Sequence, residues 1–147
     1  MSTYWIDSYL AIKNRLKTQL EELVDDGGDL VFKKVYFGKK ATAMEFPVCI
    51  FWPIVTRTTV TTTKSSQYPI RFRVCAIAQD QTPEGGHDEA VTMMGYVGKM
   101  IEDDRQFGHL ADTSEIDDID PDVERRRVRT RHEAAYILRF ERYVLPT

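Results

Sequence analysis

The sequence predicts an α+β domain, a mainly antiparallel sheet with a long central hairpin packed against two helices. Two segments carry their apolar residues at helical spacing, and five others have the alternation or the β-branched and aromatic composition of strands. The resulting order is helix, three strands, helix, two strands, with a hairpin in the middle. Because 42% of the 147 residues are apolar, the chain can bury one core, and we expect residues 1–147 to form a single domain.

A long amphipathic helix is predicted to open the chain. Its apolar residues fall on one stripe at spacings of three and four: Trp5, Tyr9, Ile12, Leu16, Leu20 and Leu23. The helix should end before residues 25–28, where two aspartates precede two glycines and Gly27 can take the left-handed cap conformation.

A second helix is predicted after Thr82 and Pro83, an N-cap residue followed by a first-turn proline. Its core side carries Ala90, Met93, Met94, Val97, Met100 and Ile101. The helix should end near Asp104. Gly95 and Gly98 each lower its intrinsic stability by about 1 kcal/mol relative to alanine. We therefore expect the helix to approach the sheet or another element closely at both glycines.

Three strands are predicted between the helices. Residues 30–37 are apolar, β-branched or aromatic, and a Gly-Lys-Lys sequence follows them. Residues 46–55 are apolar on both alternating sides, which predicts a strand covered on both faces. Residues 69–78 alternate apolar side chains with a set that includes Arg71 and Arg73. They should pair with residues 46–55 as the central hairpin.

The connection from Thr56 to Gln67 contains six threonines and one aliphatic residue, Val60. Threonine favours extended backbone, but this stretch has almost nothing apolar to bury in its own domain. One prediction is a hairpin arm that projects beyond the core. The alternative is a flexible loop rich in Ser and Thr.

The charge pattern reverses sharply near the carboxyl end. Residues 112–124 hold seven carboxylates and no basic residue, whereas residues 125–131 hold five arginines. A turn is predicted at the Asp-Pro-Asp sequence of residues 120–122. Four of the arginines would share one face of a strand and would need a negative partner. Three partners are open: the chain's own carboxylates, those of another copy, and DNA phosphates.

The sequence lacks the motifs of common active sites. Residues 132–136 resemble the HExxH zinc motif, but Tyr136 stands where the second histidine is required. Residues 118–122 carry alternate aspartates like the start of a calcium loop, but Val123 stands where glycine is required. Neither GxGxxG nor GxxxxGK[ST] occurs, and the net charge of −3 lacks the basic excess of many nucleic-acid binders. We expect no enzyme activity, no metal and no cofactor.

Two cysteines, Cys49 and Cys75, lie in apolar strands and are expected to be buried thiols in a reducing compartment. The longest apolar run, residues 48–55, has eight residues, far fewer than the ~20 that cross a bilayer. The amino terminus also lacks the pattern of a secretory signal. We therefore expect neither a membrane contact nor export through a signal peptide.

The phrases FPVCIFWP, YPIRFRVCAIAQD and RTRHEAAYILRFERYV, in this order of helices and strands, resemble the tail terminator (tail completion) proteins of tailed bacteriophages. The resemblance spans nearly the whole chain, but the family has no signature motif by which a functional residue could be transferred. It implies a structural virion protein at the head-tail interface, assembled in the host cytoplasm. Such a protein forms a ring, here expected to hold six copies, and stops polymerisation of the tail tube.

The resemblance also implies partners. They are other copies of the chain, the tail tube protein and the head-tail connector or neck protein, with a contact to the tape-measure protein or to DNA in the lumen. A ring contact joins two unlike surfaces of each subunit, and the arm and the two charged segments could supply them. The residues expected at such interfaces are Thr58, Thr59, Thr61, Thr62, Lys64, Arg125, Arg127, Arg129, Arg131, Asp117, Asp118 and Asp120.

Three alternatives stay open. A neck or head-completion protein of the same particle would show the same sequence features. A small metal-dependent enzyme could use Asp117, Asp118, Asp120 and His132, and metal would then raise its thermal stability. A nucleic-acid-binding domain could use the arginine segment, and its affinity for DNA would fall steeply with salt.

Overall fold

A computed structural model describes the backbone of residues 5–38, 45–54, 59–62, 65–123 and 130–144. Side chains are described for these residues except residues 5, 59–62, 65–68 and 142–144. The elements follow in the order α1 (Trp5–Glu22), β1 (Lys34–Phe37), β2 (Val48–Pro53), β3 (Thr59–Thr62), β4 (Ser65–Gln79), α2 (Pro83–Asp103), β5 (Thr113–Val123) and β6 (Arg131–Val144).

The strands form one mixed sheet in the order β1-β2-β4-β6-β5, with β3 paired to β4 outside this path. Strands β1 and β2 run parallel, and all other pairs are antiparallel. The longest pairing joins β4 to β6, from Ser66 opposite Val144 to Gln79 opposite Arg131. The predicted α+β class with a mainly antiparallel sheet is therefore confirmed, and so is the antiparallel pairing of β2 with β4.

Both helices pack on one face of the sheet. Helix α1 buries Ile12, Leu16 and Leu20, which lie on the predicted apolar stripe. Helix α2 buries five of the six side chains predicted for its core side: Ala90, Met93, Met94, Val97 and Ile101. These side chains belong to one core with the apolar residues that alternate along β4, which are Ile70, Phe72, Val74, Ala76 and Ala78. Phe72 also stacks on Tyr9 of α1, with the ring centroids 5.6 Å apart.

The two glycines predicted to allow a close approach of α2 behave differently. A Cβ on Gly98 would lie 3.3 Å from the ring of Tyr136, so this glycine does face a near neighbour. A Cβ on Gly95 would meet no atom within 4 Å, so the prediction for this position is wrong. The closest approach is at Gly86, where a Cβ would lie 1.8 Å from the ring of His132.

Two local predictions are corrected. Strand β1 begins at Lys34 instead of residue 30, because Leu30 forms an isolated bridge with Val24 after the end of α1. Residues 120–122 do not form a turn but lie within β5. The proline is accommodated because the register with β6 shifts between Asp120 and Val123, so the ladder is interrupted there.

The segment predicted as an arm, Thr56 to Gln67, includes β3 and the start of β4, and these two strands pair with each other. In the described part, β3 runs antiparallel to the start of β4, with Thr59 opposite Gln67. The end of β6 joins on the other side of β4, with Tyr143 also opposite Gln67. Beyond the ends of β2 and β5 the sheet therefore continues as three strands. That this extension projects from the core stays a prediction.

Candidate assembly surfaces

The face of the sheet opposite the helices carries the charged residues of β4. Because side chains alternate along a strand, Phe72 and Val74 point toward the helices, and Arg71 and Arg73 point to the opposite face. The register places Arg139 of β6 directly beside Arg71 on the same face. Three arginines from the two central strands therefore lie together.

Asp117 of β5 lies between two of these arginines. Its Oδ2 is 3.3 Å from Nε of Arg71, and its Oδ1 is 3.4 Å from Nη1 of Arg139. Arg139 also forms salt bridges with Glu115 and, through Nε at 3.2 Å, with Glu141. Because the Asp117 side chain is only 17% exposed, solvent screens this carboxylate less than a surface charge.

A β-bulge explains the position of Asp117. Residues Ile116 and Asp118 oppose Leu138 and Ile137, so the residue between them is extra on β5. The extra residue turns its carboxylate onto the face that carries the arginines. Asp120, further along β5, has its Oδ2 3.9 Å from Nη2 of Arg73. The acidic strand is thus partly neutralised by arginines of its own sheet.

The other half of this face is apolar. Val48, Ile50 and Ile77 are buried in a cluster of their own, with Tyr36, Phe46 and Trp52 packed against it. The guanidinium of Arg131 lies over the ring of Phe46, 4.9 Å from its centroid. This contact places the first residue of β6 against apolar surface, where a cation–π interaction contributes about 0.5–1 kcal/mol at an exposed site.

The two edge strands of the sheet differ in chemistry. Strand β5 is eleven residues long, and Asp118, Ile119 and Asp122 are exposed on it; Ile119 is 64% exposed. Strand β1 at the other edge has four residues and runs parallel to its neighbour. An edge strand presents unpaired backbone groups that can pair with another chain, and charges and bulges limit such pairing. The β5 edge carries exposed carboxylates as well as a bulge.

The two cysteines are buried, as predicted, but on opposite faces. Cys49 lies opposite Ala76 on the helix side, and Cys75 lies opposite Ile50 on the other side. Burial raises the pKa of both thiols, and the neighbouring Glu133 carboxylate raises the pKa of Cys75 further. Neither thiol is therefore suited to act as a nucleophile.

The structure places only some of the residues expected at interfaces. Thr59, Thr61 and Thr62 lie in β3, where the backbone pairs with β4. Asp117 and Asp120 lie on the face opposite the helices and form the ion pairs described above, whereas Asp118 is exposed beside them. Arg131 begins β6. The remaining members of the set lie outside the described residues: Thr58, Lys64, Arg125, Arg127 and Arg129.

The four residues of the hypothetical metal site do not meet. His132 faces the helices, and its Nε2 lies 3.1 Å from the backbone oxygen of Asp80. Asp117 and Asp120 lie on the opposite face and are paired with arginines. Within the described part of the chain, no three His, Cys, Asp or Glu side chains are grouped so that they could hold a metal ion.

Sequence reasoning missed the basic partners of the acidic strand. Among the described residues, Arg71, Arg73 and Arg139 pair with it, whereas the prediction turned to the adjacent run of residues 125–131, of which residues 125–129 lie outside the described part of the chain. Alternation along the strand of residues 69–78 did show that Arg71 and Arg73 share a face. The signal that brings them to β5 is the strand order, in which β6 lies between β4 and β5.

Comparison with protein-family models finds no match, and comparison with curated proteins finds none either. Among the described residues, neither helix is long and apolar enough to span a lipid bilayer.

Proposed function

We propose that this chain is a structural virion protein, a tail terminator whose copies form a ring that caps the tail tube and joins it to the head connector. The observation that carries the proposal is the sheet with two unlike edges, a long acidic β5 on one side and a short parallel β1 on the other. A ring built by rotation needs two different, complementary surfaces on each subunit, whereas a two-fold dimer needs only one.

The three-stranded extension supports the same proposal. Its outer strand β3 has the sequence Thr-Val-Thr-Thr, and threonine and valine both favour extended backbone. The start of β4 and the end of β6 accompany it. A strand of this kind can add to the sheet edge of a neighbouring molecule through backbone hydrogen bonds.

The chemistry of the face opposite the helices also favours assembly over catalysis. Arg71 and Arg139 are paired with Asp117 within the sheet, so these charged groups already have partners inside the subunit. In the assembled ring, one rim would bind the end of the tail tube and the other the connector, with DNA passing through the lumen.

The proposal is tested by the assembly state of the purified full-length chain. We expect closed rings with a central channel in negative-stain images, and a sedimentation coefficient that rises with concentration toward one defined species. A chain that remains a monomer or a two-fold dimer at every concentration would contradict the proposal. Proteins of the neck would instead bind DNA-filled heads in preference to isolated tail tubes.

A further inference from the structure

The β5 edge of the sheet is acidic. Its exposed charged side chains are Glu115, Asp118 and Asp122. Glu115 is paired with Arg139, whereas within the described residues Asp118 and Asp122 form no salt bridge. The β5 edge therefore carries two carboxylates that have no partner of opposite charge in the described part of the subunit.

The β1 edge is basic. Lys33 directly precedes β1 and Lys34 is its first residue, and both side chains are exposed. Neither lysine forms a salt bridge with another described residue. Lys13 of α1 adds a third cation to this edge, with its Nζ 5.1 Å from the centroid of the Phe37 ring. The two edges of the sheet are therefore complementary in charge.

Each edge also exposes one large apolar side chain. Ile119 of β5 is 64% exposed, and Phe37 of β1 is 42% exposed. Ile119 lies opposite Tyr136 of β6, and Phe37 lies opposite Phe51 of β2. Tyr136 and Phe51 both belong to the core beneath the helices. Since paired residues share a face, Ile119 and Phe37 lie on the same face of the sheet, where contact between copies would remove both from water.

The strand directions allow the two edges to pair between copies. Strand β1 is parallel to β2, and the pairings from β2 to β4, from β4 to β6 and from β6 to β5 are antiparallel. Strands β1 and β5 therefore run in opposite directions. Copies related by rotation about an axis along the strands keep each strand direction and keep all helices on one side. Strand β5 of one copy then meets β1 of the next as an antiparallel pair.

We propose that β5 of one copy pairs with β1 of the next, with Ile119 beside Phe37 and the β5 carboxylates beside Lys33 and Lys34. The proposal deepens the assembly proposed above and rests on it for the claim that copies associate. The contact is head-to-tail because its two sides are different strands, and the sheet continues from each copy into its neighbour.

Two charge variants test the contact as a pair. D118K/D122K makes the β5 edge basic, and K33E/K34E makes the β1 edge acidic, so each variant sets like charges against each other when it meets a copy of itself. In sedimentation velocity at about 50 mM salt, each should self-associate at least about tenfold more weakly than the unchanged chain. An equimolar mixture should recover the association, because every contact between the two variants joins opposite charges.

Matched variants separate the contact from general effects of charge and apolar surface. E21K/E22K makes the same charge change as D118K/D122K on exposed positions of α1, in neither edge strand, and should associate as the unchanged chain does. I119N removes apolar surface without a change in charge and should weaken self-association about tenfold. V91N makes a similar change at an exposed position of α2 and should have no effect. Circular dichroism and thermal unfolding of each variant establish that the fold is retained.

The outcomes separate the contact from the proposed function. Equal loss in D118K/D122K and E21K/E22K would overturn the contact, since it would show an effect of net charge alone. A mixture that stays dissociated while the unchanged chain forms rings would also overturn the contact and leave the ring proposal standing. A mixture that associates as expected, together with an unchanged chain that forms only open oligomers, would refute the tail terminator and retain the contact. An unchanged chain that remains a monomer at every concentration would overturn both.

Discussion

Replacement of Gly86 by alanine should destabilise the protein, although alanine is the better helix former. A Cβ at this position would lie 1.8 Å from Cδ2 and 2.3 Å from Cγ of His132, whereas carbon atoms need about 3.5 Å. The imidazole would have to withdraw by more than about 1 Å. It would then lose the hydrogen bond that its Nε2 makes to the backbone oxygen of Asp80, 3.1 Å away.

The expected magnitude follows from two opposing effects. Overpacking of a well-packed site costs about 1–3 kcal/mol, and the gain in helix propensity returns at most about 1 kcal/mol. The free energy of unfolding should therefore fall by about 1–2 kcal/mol in G86A. Gly95 in the same helix provides the matched control, because a Cβ there meets nothing within 4 Å. G95A should raise the free energy of unfolding by about 0.5–1 kcal/mol.

Urea unfolding followed by circular dichroism measures both variants. A third variant, H132A, isolates the clash: G86A introduced into H132A should be neutral or stabilising, which gives a coupling energy of about 2 kcal/mol in the double-mutant cycle. If G86A and G95A shift the urea midpoint in the same direction, or if the effect of G86A is the same with and without His132, the close packing of α2 on β6 is wrong.

Three further predictions concern the ion pairs and the thiols. D117N should lower the free energy of unfolding by about 1–2 kcal/mol, because it removes the carboxylate between two arginines. D118N, at the exposed neighbouring position, should change it by less than about 0.5 kcal/mol. Urea unfolding of both variants measures the difference, and equal effects would contradict the prediction. The backbone N–H of Gly108 and the Arg15 guanidinium lower the pKa of Asp104, so its contribution to stability is present above about pH 4 and is lost as the pH falls through the lowered pKa. D104N should cost at most about 1 kcal/mol at pH 7 and less at pH 2.5, and an equal cost at both pH values would refute this. Neither cysteine should react with DTNB at pH 8 until the chain is unfolded, and rapid labelling of the native protein would contradict their burial.

The helices could be predicted from the sequence because burial of one stripe decides where they form. Ile12, Leu16 and Leu20 lie four residues apart, and each is fully buried. The beginning of β1 could not be predicted in the same way. Val31 and Phe32 are consecutive and both buried, so neither helical nor strand periodicity applies to them. The parallel pairing of β1 with β2 also leaves no local signal in four residues.

The ion pairs show where local patterns stop being informative. Each strand alone displays its charges, and the alternation of Arg71 and Arg73 is visible in the sequence. Their meeting with Asp117 depends on strand order and on one extra residue in β5. The cleft between α2 and the loop after α1 has the same origin, since Asp25 and Asp88 line it only because that loop packs beside the helix.

A disulfide trap between copies tests the central claim most directly, which is that the two sides of this subunit bind each other in a closed head-to-tail ring. Ile119 of β5 is 64% exposed and Lys34 of β1 is also exposed, so I119C and K34C in one chain place a thiol on each edge of the sheet, and the native cysteines are buried. Mild oxidation of the assembled protein should give a ladder of covalent oligomers on a denaturing gel. The largest oligomer in the ladder should contain as many copies as the ring. Each single variant should give dimers at most. A double variant that yields only dimers, or no intermolecular product at all, would contradict the account.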